Sequence, residues 1–158
     1  LLYLKLRGER LKRRLAAGYV VTCAGDAAPF TYKRSRRGDT LADRAALHVL
    51  GRRPGTRVRA FFPQGSDERQ YGSPGFNLPV GSIMRSVYGT YPEYHTSEDN
   101  RAFISFAALH ESVSVYEEVL RALELNRRYR NLAPYGEPNL LAEAAERCLE
   151  AGLLEPLP

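Results

Sequence analysis

The strongest constraint on how this chain folds is the run Tyr19-Val20-Val21-Thr22-Cys23, continuous, apolar and β-rich between Gly18 and Gly25. Glycine on both sides and β-branched residues within mark it as a buried strand. The run ends in Ala24-Gly25-Asp26, which puts Asp26 just past the strand's carboxyl end. Ahead of it, Leu11 and Leu15 at i, i+4 predict a short amphipathic helix over 9–17 with a basic outer face, stopped by Gly18.

The same strand-then-helix rhythm continues. Phe30-Thr31-Tyr32-Lys33 predicts a second short strand, closed by the polar turn Ser35-Arg36-Arg37-Gly38. Asp39 or Thr40 then caps a helix in which Ala42, Ala45, Ala46, Val49 and Leu50 fall at i, i+3, i+4, i+7, i+8; Gly51 ends it. Residues 57–62 predict a strand closed by Pro63. Residues 64–79, rich in Gly, Pro and Ser, predict a loop carrying Asp67-Glu68-Arg69. Residues 80–87 predict another strand, and 88–100 a second loop that contains His95. A long helix follows from about 106 to 125, with Leu109, Val113, Tyr116, Leu120 and Leu123 as its apolar stripe. The last segments read as a turn over 131–138 and a helix over 140–151 stopped by Gly152. Alternating helix and strand give an α/β class.

At 158 residues the chain suits one domain with a sizeable core, and its 44% hydrophobic and 26% charged content is that of a soluble globular protein. No apolar run approaches the roughly 20 residues of a membrane helix, so no membrane partner is expected. The N-terminal residues do not form a signal peptide. Without an initiator Met, the expectation is a start inside a longer protein or a processed form. Two cysteines, Cys23 and Cys148, are too few for a disulfide framework and fit a reducing, cytoplasmic setting. Each reads first as a small buried apolar side chain. The net charge of +5 is gathered in clusters at 10–14, 33–37 and 52–59. These can follow a phosphate backbone, but solvated faces explain them as well, and a nucleic-acid partner is disfavoured.

In open α/β sheets, sites form outside the carboxyl ends of strands. The loops expected there carry Asp26, the pair Asp67 and Glu68, and His95. Zinc takes His nitrogen and carboxylate oxygen, with one position left for water. His95 has Glu93, Glu98 and Asp99 nearby, and a carboxylate can hold one ring nitrogen while the other faces a metal. The plain alternative is a loop histidine, with Ser97, Glu98 and Asp99 capping a helix start. Asp26 reads first as a turn residue, with a ligand or a proton relay as the alternatives. Asp67 and Glu68 are adjacent and point to opposite sides, so at most one faces a site and the other pairs with Arg69. His48 and His110 read as surface residues. There is no HExxH, GxSxG or metal-binding cysteine set.

The motifs Gly18-Tyr19-Val20-Val21-Thr22-Cys23-Ala24-Gly25-Asp26, Tyr32-Lys33-Arg34-Ser35-Arg36, Gly65-Ser66-Asp67-Glu68-Arg69-Gln70-Tyr71 and Tyr94-His95-Thr96-Ser97-Glu98-Asp99-Asn100 occur in that order, with Pro134-Tyr135-Gly136-Glu137-Pro138 after them. Together they resemble the aminopeptidase-like domain of bacterial proteins related to the family-28 zinc aminopeptidases and glutaminyl cyclotransferases. The resemblance implies a mixed β-sheet between helices (a phosphorylase/hydrolase-like fold) and covers the C-terminal half of that domain over residues 1–139. Residues 140–158 would be a helical tail, a remnant of a winged-helix-like segment. It further implies a zinc cofactor, with His95 as a metal ligand and Asp26 near the position of another, although Cys23 is an alternative in that register. Asp67 resembles the aspartate of a proton network, a catalytic role. The substrate implied is an N-terminal peptide or related amide. An early His, an Asp and the catalytic Glu of the family would lie upstream of this chain. The implied partners are therefore the upstream half of the same protein or a second copy. The alternative is a non-catalytic interaction module that keeps part of the fold.

Overall fold

The structure, a computed structural model, describes residues 2–131 and 154–157. The chain forms two compact units, Leu1–Leu123 and Glu124–Pro158.

The first unit is built around a four-stranded mixed sheet. Its strands are β1 (Gly18–Val21), β2 (Thr31–Lys33), β3 (Arg57–Arg59) and β4 (Val80–Met84), in the order β1-β4-β2-β3. β1 runs parallel to β4 with Gly18 opposite Val80. β2 runs antiparallel to β4, and parallel to β3 on its other side. The helices are α1 (Leu2–Arg14), α2 (Leu41–Leu50), α3 (Glu68–Tyr71) and α4 (Phe106–Glu124).

Side-chain alternation along a strand sends successive residues to opposite faces, and this gives the sheet two cores. Tyr19, Tyr32 and Ile83 lie on the face packed by α2 and α4, with Ala45, Ala46, Val49, Leu50, Val115 and Val119. Val20 and Val80 lie on the other, with Leu4 and Leu11 of α1, Leu15 just after it and Tyr71 of α3. Covered on both faces, β4 is buried at every residue, as an inner strand between helix layers must be. This is the expected mixed sheet between helices.

The expected α2 holds in detail. Thr40 is its N-cap, and a capping box joins Thr40 to Asp43, which satisfies two of the free N–H groups of the first turn. Asp43 is also fully buried, and Tyr32 Oη donates to it across 2.8 Å. Tyr32 reaches Asp43 by lying over Gly81, where a Cβ would stand 2.4 Å from the phenol oxygen.

Several boundaries differ from the sequence reading. α1 spans Leu2–Arg14 and not 9–17, with Gly8 buried within the helix. β1 stops at Val21, and Cys23 then takes the left-handed φ of 45°. β3 ends at Arg59, and the expected continuation instead supplies rings to cations: Arg36 lies 4.5 Å from the Phe61 ring centre. The loop over 64–79 contains the short helix α3. In α4 the buried face is Ala108, Ser112, Val115 and Val119, whereas Val113 and Leu120 are exposed. A stripe chosen by apolarity misses this, since small and hydroxyl residues pack at the centre of the contact.

In the second unit β5 (Arg128–Asn131) pairs antiparallel with β6 (Leu154–Leu157). The turn expected over 131–138 and the helix over 140–151 lie, apart from Asn131, outside the described residues, as does Cys148. Among the described residues no helix is long and apolar enough to cross a membrane.

Candidate functional site

Beyond the carboxyl ends of the neighbouring parallel strands β1 and β4 lies a cavity of about 560 Å³. The segment after β1 supplies Thr22, Cys23 and Asp26. The segment before α3 supplies Gly65 and Ser66. The long loop after β4 supplies Tyr91, Tyr94, His95, Asp99, Phe103 and Ile104. His95 and Asp26, far apart in sequence, therefore face the same space. Among the described residues the lining holds two carboxylates and no Lys or Arg, in a chain whose net charge is +5.

His95 is exposed and takes a left-handed φ of 60°. Non-glycine residues in this region are strained and gather at functional sites. Cys23, also in the lining, shares this conformation, as does Asn77 outside the cavity. The imidazole stacks on Tyr94 with ring centres 4.0 Å apart. Tyr94 meets Tyr91 edge-on, and Tyr91 stacks on Phe103 at 5.4 Å. The aromatic series thus holds the ring from one side, and among the described residues no carboxylate bonds either ring nitrogen. The backbone beneath is a set of turns: Thr96 N–H donates to Glu93 O at 3.1 Å and Asp99 N–H to Thr96 O at 3.2 Å. The 97–99 segment does not cap a helix. α4 starts later, and Ser105 supports its first turn, with Ala108 N–H donating to Ser105 Oγ at 3.3 Å.

Asp26 is buried, and its carboxylate accepts three hydrogen bonds: from Ala28 N–H at 2.8 Å, Ser86 Oγ at 3.0 Å and Ser86 N–H at 3.2 Å. It fastens the exit of β1 to the exit of β4. Arg85 N–H adds a bond to Cys23 O at 2.9 Å. The Arg85 guanidinium, itself buried, donates to Ala28 O at 2.9 Å, Ala108 O at 3.0 Å and Ser112 Oγ at 3.0 Å. It also lies over Phe30 at 4.3 Å. The same group pairs with Glu111 Oε2 at 2.5 Å. Nothing in the sequence pattern marks Arg85 as the residue that ties this end of the sheet to α4, because its partners, two carbonyls, a hydroxyl and a carboxylate, lie far along the chain.

Tyr91 Oη donates to Cys23 Sγ at 3.3 Å. Burial, and then the bond to Cys23, pushes this phenol well above its ordinary range, so it stays a donor at neutral pH. Cys23 is half-buried on the cavity wall, with Thr22 Oγ1 3.5 Å away.

Asp67 does not line this cavity. It is exposed at the N-cap position of α3, makes no side-chain capping bond, and borders a separate hollow of about 410 Å³ with Tyr3, Leu11 and Tyr71. Its neighbour Glu68, on a helical turn and not on the extended chain assumed from adjacency, is turned inward and pairs with Lys33, not with Arg69. Both side chains are completely buried, with Nζ and Oε1 2.8 Å apart. His48 and His110 are at the surface.

Residues 1–126 match the family described as a domain of unknown function, DUF4910. The chain belongs to this family. It is also 44% identical over 148 residues to a Clostridium acetobutylicum protein named "Putative polysaccharide biosynthesis protein with aminopeptidase-like domain"; the match covers 92% of this chain and 34% of that protein. A crystal structure from the same organism, of a "putative peptidase", superposes with a TM-score of 0.85 at 34% identity, covering 98% of this chain and 45% of the other. This DUF4910 chain thus spans about a third of the curated relative's length and less than half of the structural neighbour's.

Proposed function

We propose that the chain is part of a peptidase-like hydrolase with a zinc aminopeptidase-like fold, acting on the N-terminal residue of a peptide or a related amide. One observation carries the reading: His95 and Asp26 line one cavity at the carboxyl ends of two adjacent parallel strands, where α/β folds place their sites. The peptidase-like names of both relatives agree with it.

A catalytic zinc takes three protein ligands and a water. Among the described residues no three His, Cys, Asp or Glu side chains come together for a metal, and Asp26 already accepts three hydrogen bonds. These residues alone do not fit a zinc ion. His95 takes a ligand's part only together with donors from the further length that the relatives possess. Within this chain, the acidic, aromatic cavity binds and orients the substrate. The Asp26 and Arg85 bonds keep its floor fixed, which limits the entropy lost on productive binding. Asp67, on another surface, has no direct part in this cavity.

The test is hydrolysis of aminoacyl-4-nitroanilides, with micromolar zinc, by this chain and by a protein that carries it within the relative's full length. Zinc-dependent hydrolysis by the longer protein, lost in His95→Ala, is the expected result. No hydrolysis by the longer protein overturns the reading. The absence of a three-donor cluster among the described residues favours a second reading, a non-catalytic interaction module. It predicts peptide binding at the cavity with no hydrolysis at any length.

A further inference from the structure

Lys33 ends β2 as a charged group with no solvent exposure, an arrangement that proteins rarely adopt without a partner. All three ammonium hydrogens have acceptors: Glu68 Oε1 at 2.8 Å, Gln64 O at 2.7 Å and Tyr88 Oη at 2.8 Å. The Tyr88 hydroxyl in turn has Glu68 Oε1 at 2.9 Å and Gln64 O at 3.1 Å as acceptors. The ammonium sits 3.7 Å from the Phe62 ring centre. Three segments thus meet at one charge: the end of β2, the Gln64–Glu68 turn and the loop after β4.

The residue caught between them is Gly65. Its φ is 129°, and a Cβ there would stand 2.1 Å from Tyr88 Oη and 2.7 Å from Glu68 Oε1. Gly65 and Ser66 are also wall residues of the His95 cavity. We infer that Lys33, Glu68 and Tyr88 are positioning residues that set the Gly65–Ser66 wall of this cavity. The inference rests on the reading of the cavity as the binding site.

Stability alone does not account for the cluster. Among the described residues Glu68 Oε2 is buried without a hydrogen-bond partner, and an incompletely satisfied buried charge is costly. Apolar residues of like volume often replace a buried ion pair without loss. What an apolar pair cannot do is fix a loop carbonyl and a glycine in one place, since dispersion has no direction and hydrogen bonds do. Burial is the main force drawing the Lys33 pKa down, and the Glu68 bond works against it, so the pair depends on its own geometry to stay charged.

The wall can be read without a substrate. Cys23 lines the same cavity, and in a Cys148→Ser background it is the sole thiol. Its rate of alkylation by iodoacetamide reports access to the cavity, and the Gly65 and Ser66 amide resonances report wall position. Tyr88→Phe and the double variant Lys33→Met/Glu68→Met are expected to fold, to shift both resonances and to speed alkylation by about tenfold. Folded variants with unchanged resonances and the wild-type alkylation rate overturn the inference and leave the cluster a plain core contact. If the double variant does not fold, Tyr88→Phe decides alone. Absence of peptide hydrolysis by the longer protein overturns the hydrolase reading, whereas the thiol rate judges the wall independently.

Discussion

Lys33 Nζ and Glu68 Oε1 lie 2.8 Å apart across 35 residues of sequence, with neither side chain touching solvent. Removing one partner strands the other charge in the interior. Lys33→Met is therefore expected to cost about 3–5 kcal/mol, and Lys33→Met/Glu68→Met to recover most of it. Urea unfolding of the two variants beside the parent measures both numbers. A double variant as unstable as the single one would contradict the argument.

Gly65→Ala meets two obstacles, a φ of 129° and a Cβ 2.1 Å from Tyr88 Oη. The backbone part alone is worth about 1–3 kcal/mol. Combining it with Tyr88→Ala should relieve part of the loss, because both close atoms of that ring, Oη and Cζ, are then gone. A double-mutant cycle read by urea unfolding tests this coupling.

Asp43 gives a pH dependence. Burial pushes its carboxyl upward, but hydrogen bonds from Ser35, Thr40 and Tyr32 outweigh this and hold it below its ordinary value of 3.8. The unfolded chain then takes up the proton more readily than the folded one. Stability from this group is present in full above that ordinary value and is lost as pH falls through the lowered folded one. Asp43→Asn should flatten the acid side of a stability-against-pH curve, and lower stability at pH 7 by about 2 kcal/mol.

His95 is exposed, and its ring packs on one neighbour, Tyr94. His95→Ala is expected to change stability by less than about 0.5 kcal/mol. A thermal melt checks it. A large loss would assign His95 a packing role and weaken its place in the site.

Much of the fold is legible because it follows from local rules. Thr40 and Asp43 write a capping box three residues apart, and Ala42 to Leu50 keep a helical period. Tyr19 to Val21 form the expected strand between their glycines, but at the sheet edge it is half-buried and not buried, with Val21 exposed. The α4 face is less legible, since Ser112 is buried by donating to Ala24 O at 2.8 Å, a partner whose position no periodicity reveals. The site divides similarly. His95 and Asp26 stand out as residues expected at strand ends. That Asp26 is spent on Ser86 and Ala28, and that Asp67 borders a different hollow, depends on which way each turn closes.

By itself the sequence determined the order of the longer elements and the ends of the strands where a site belongs, though not α3, β5 or β6, because burial period and glycine punctuation act over a few residues. Only the tertiary structure decided which distant groups meet: His95 with Asp26 and Cys23 around one cavity, Arg85 with α4, and Lys33 with Glu68 and Tyr88. Those meetings are set by strand order and loop paths. The energies that hold them, hydrogen bonds and charge in a dry interior, act between neighbours in space and leave no period along the chain.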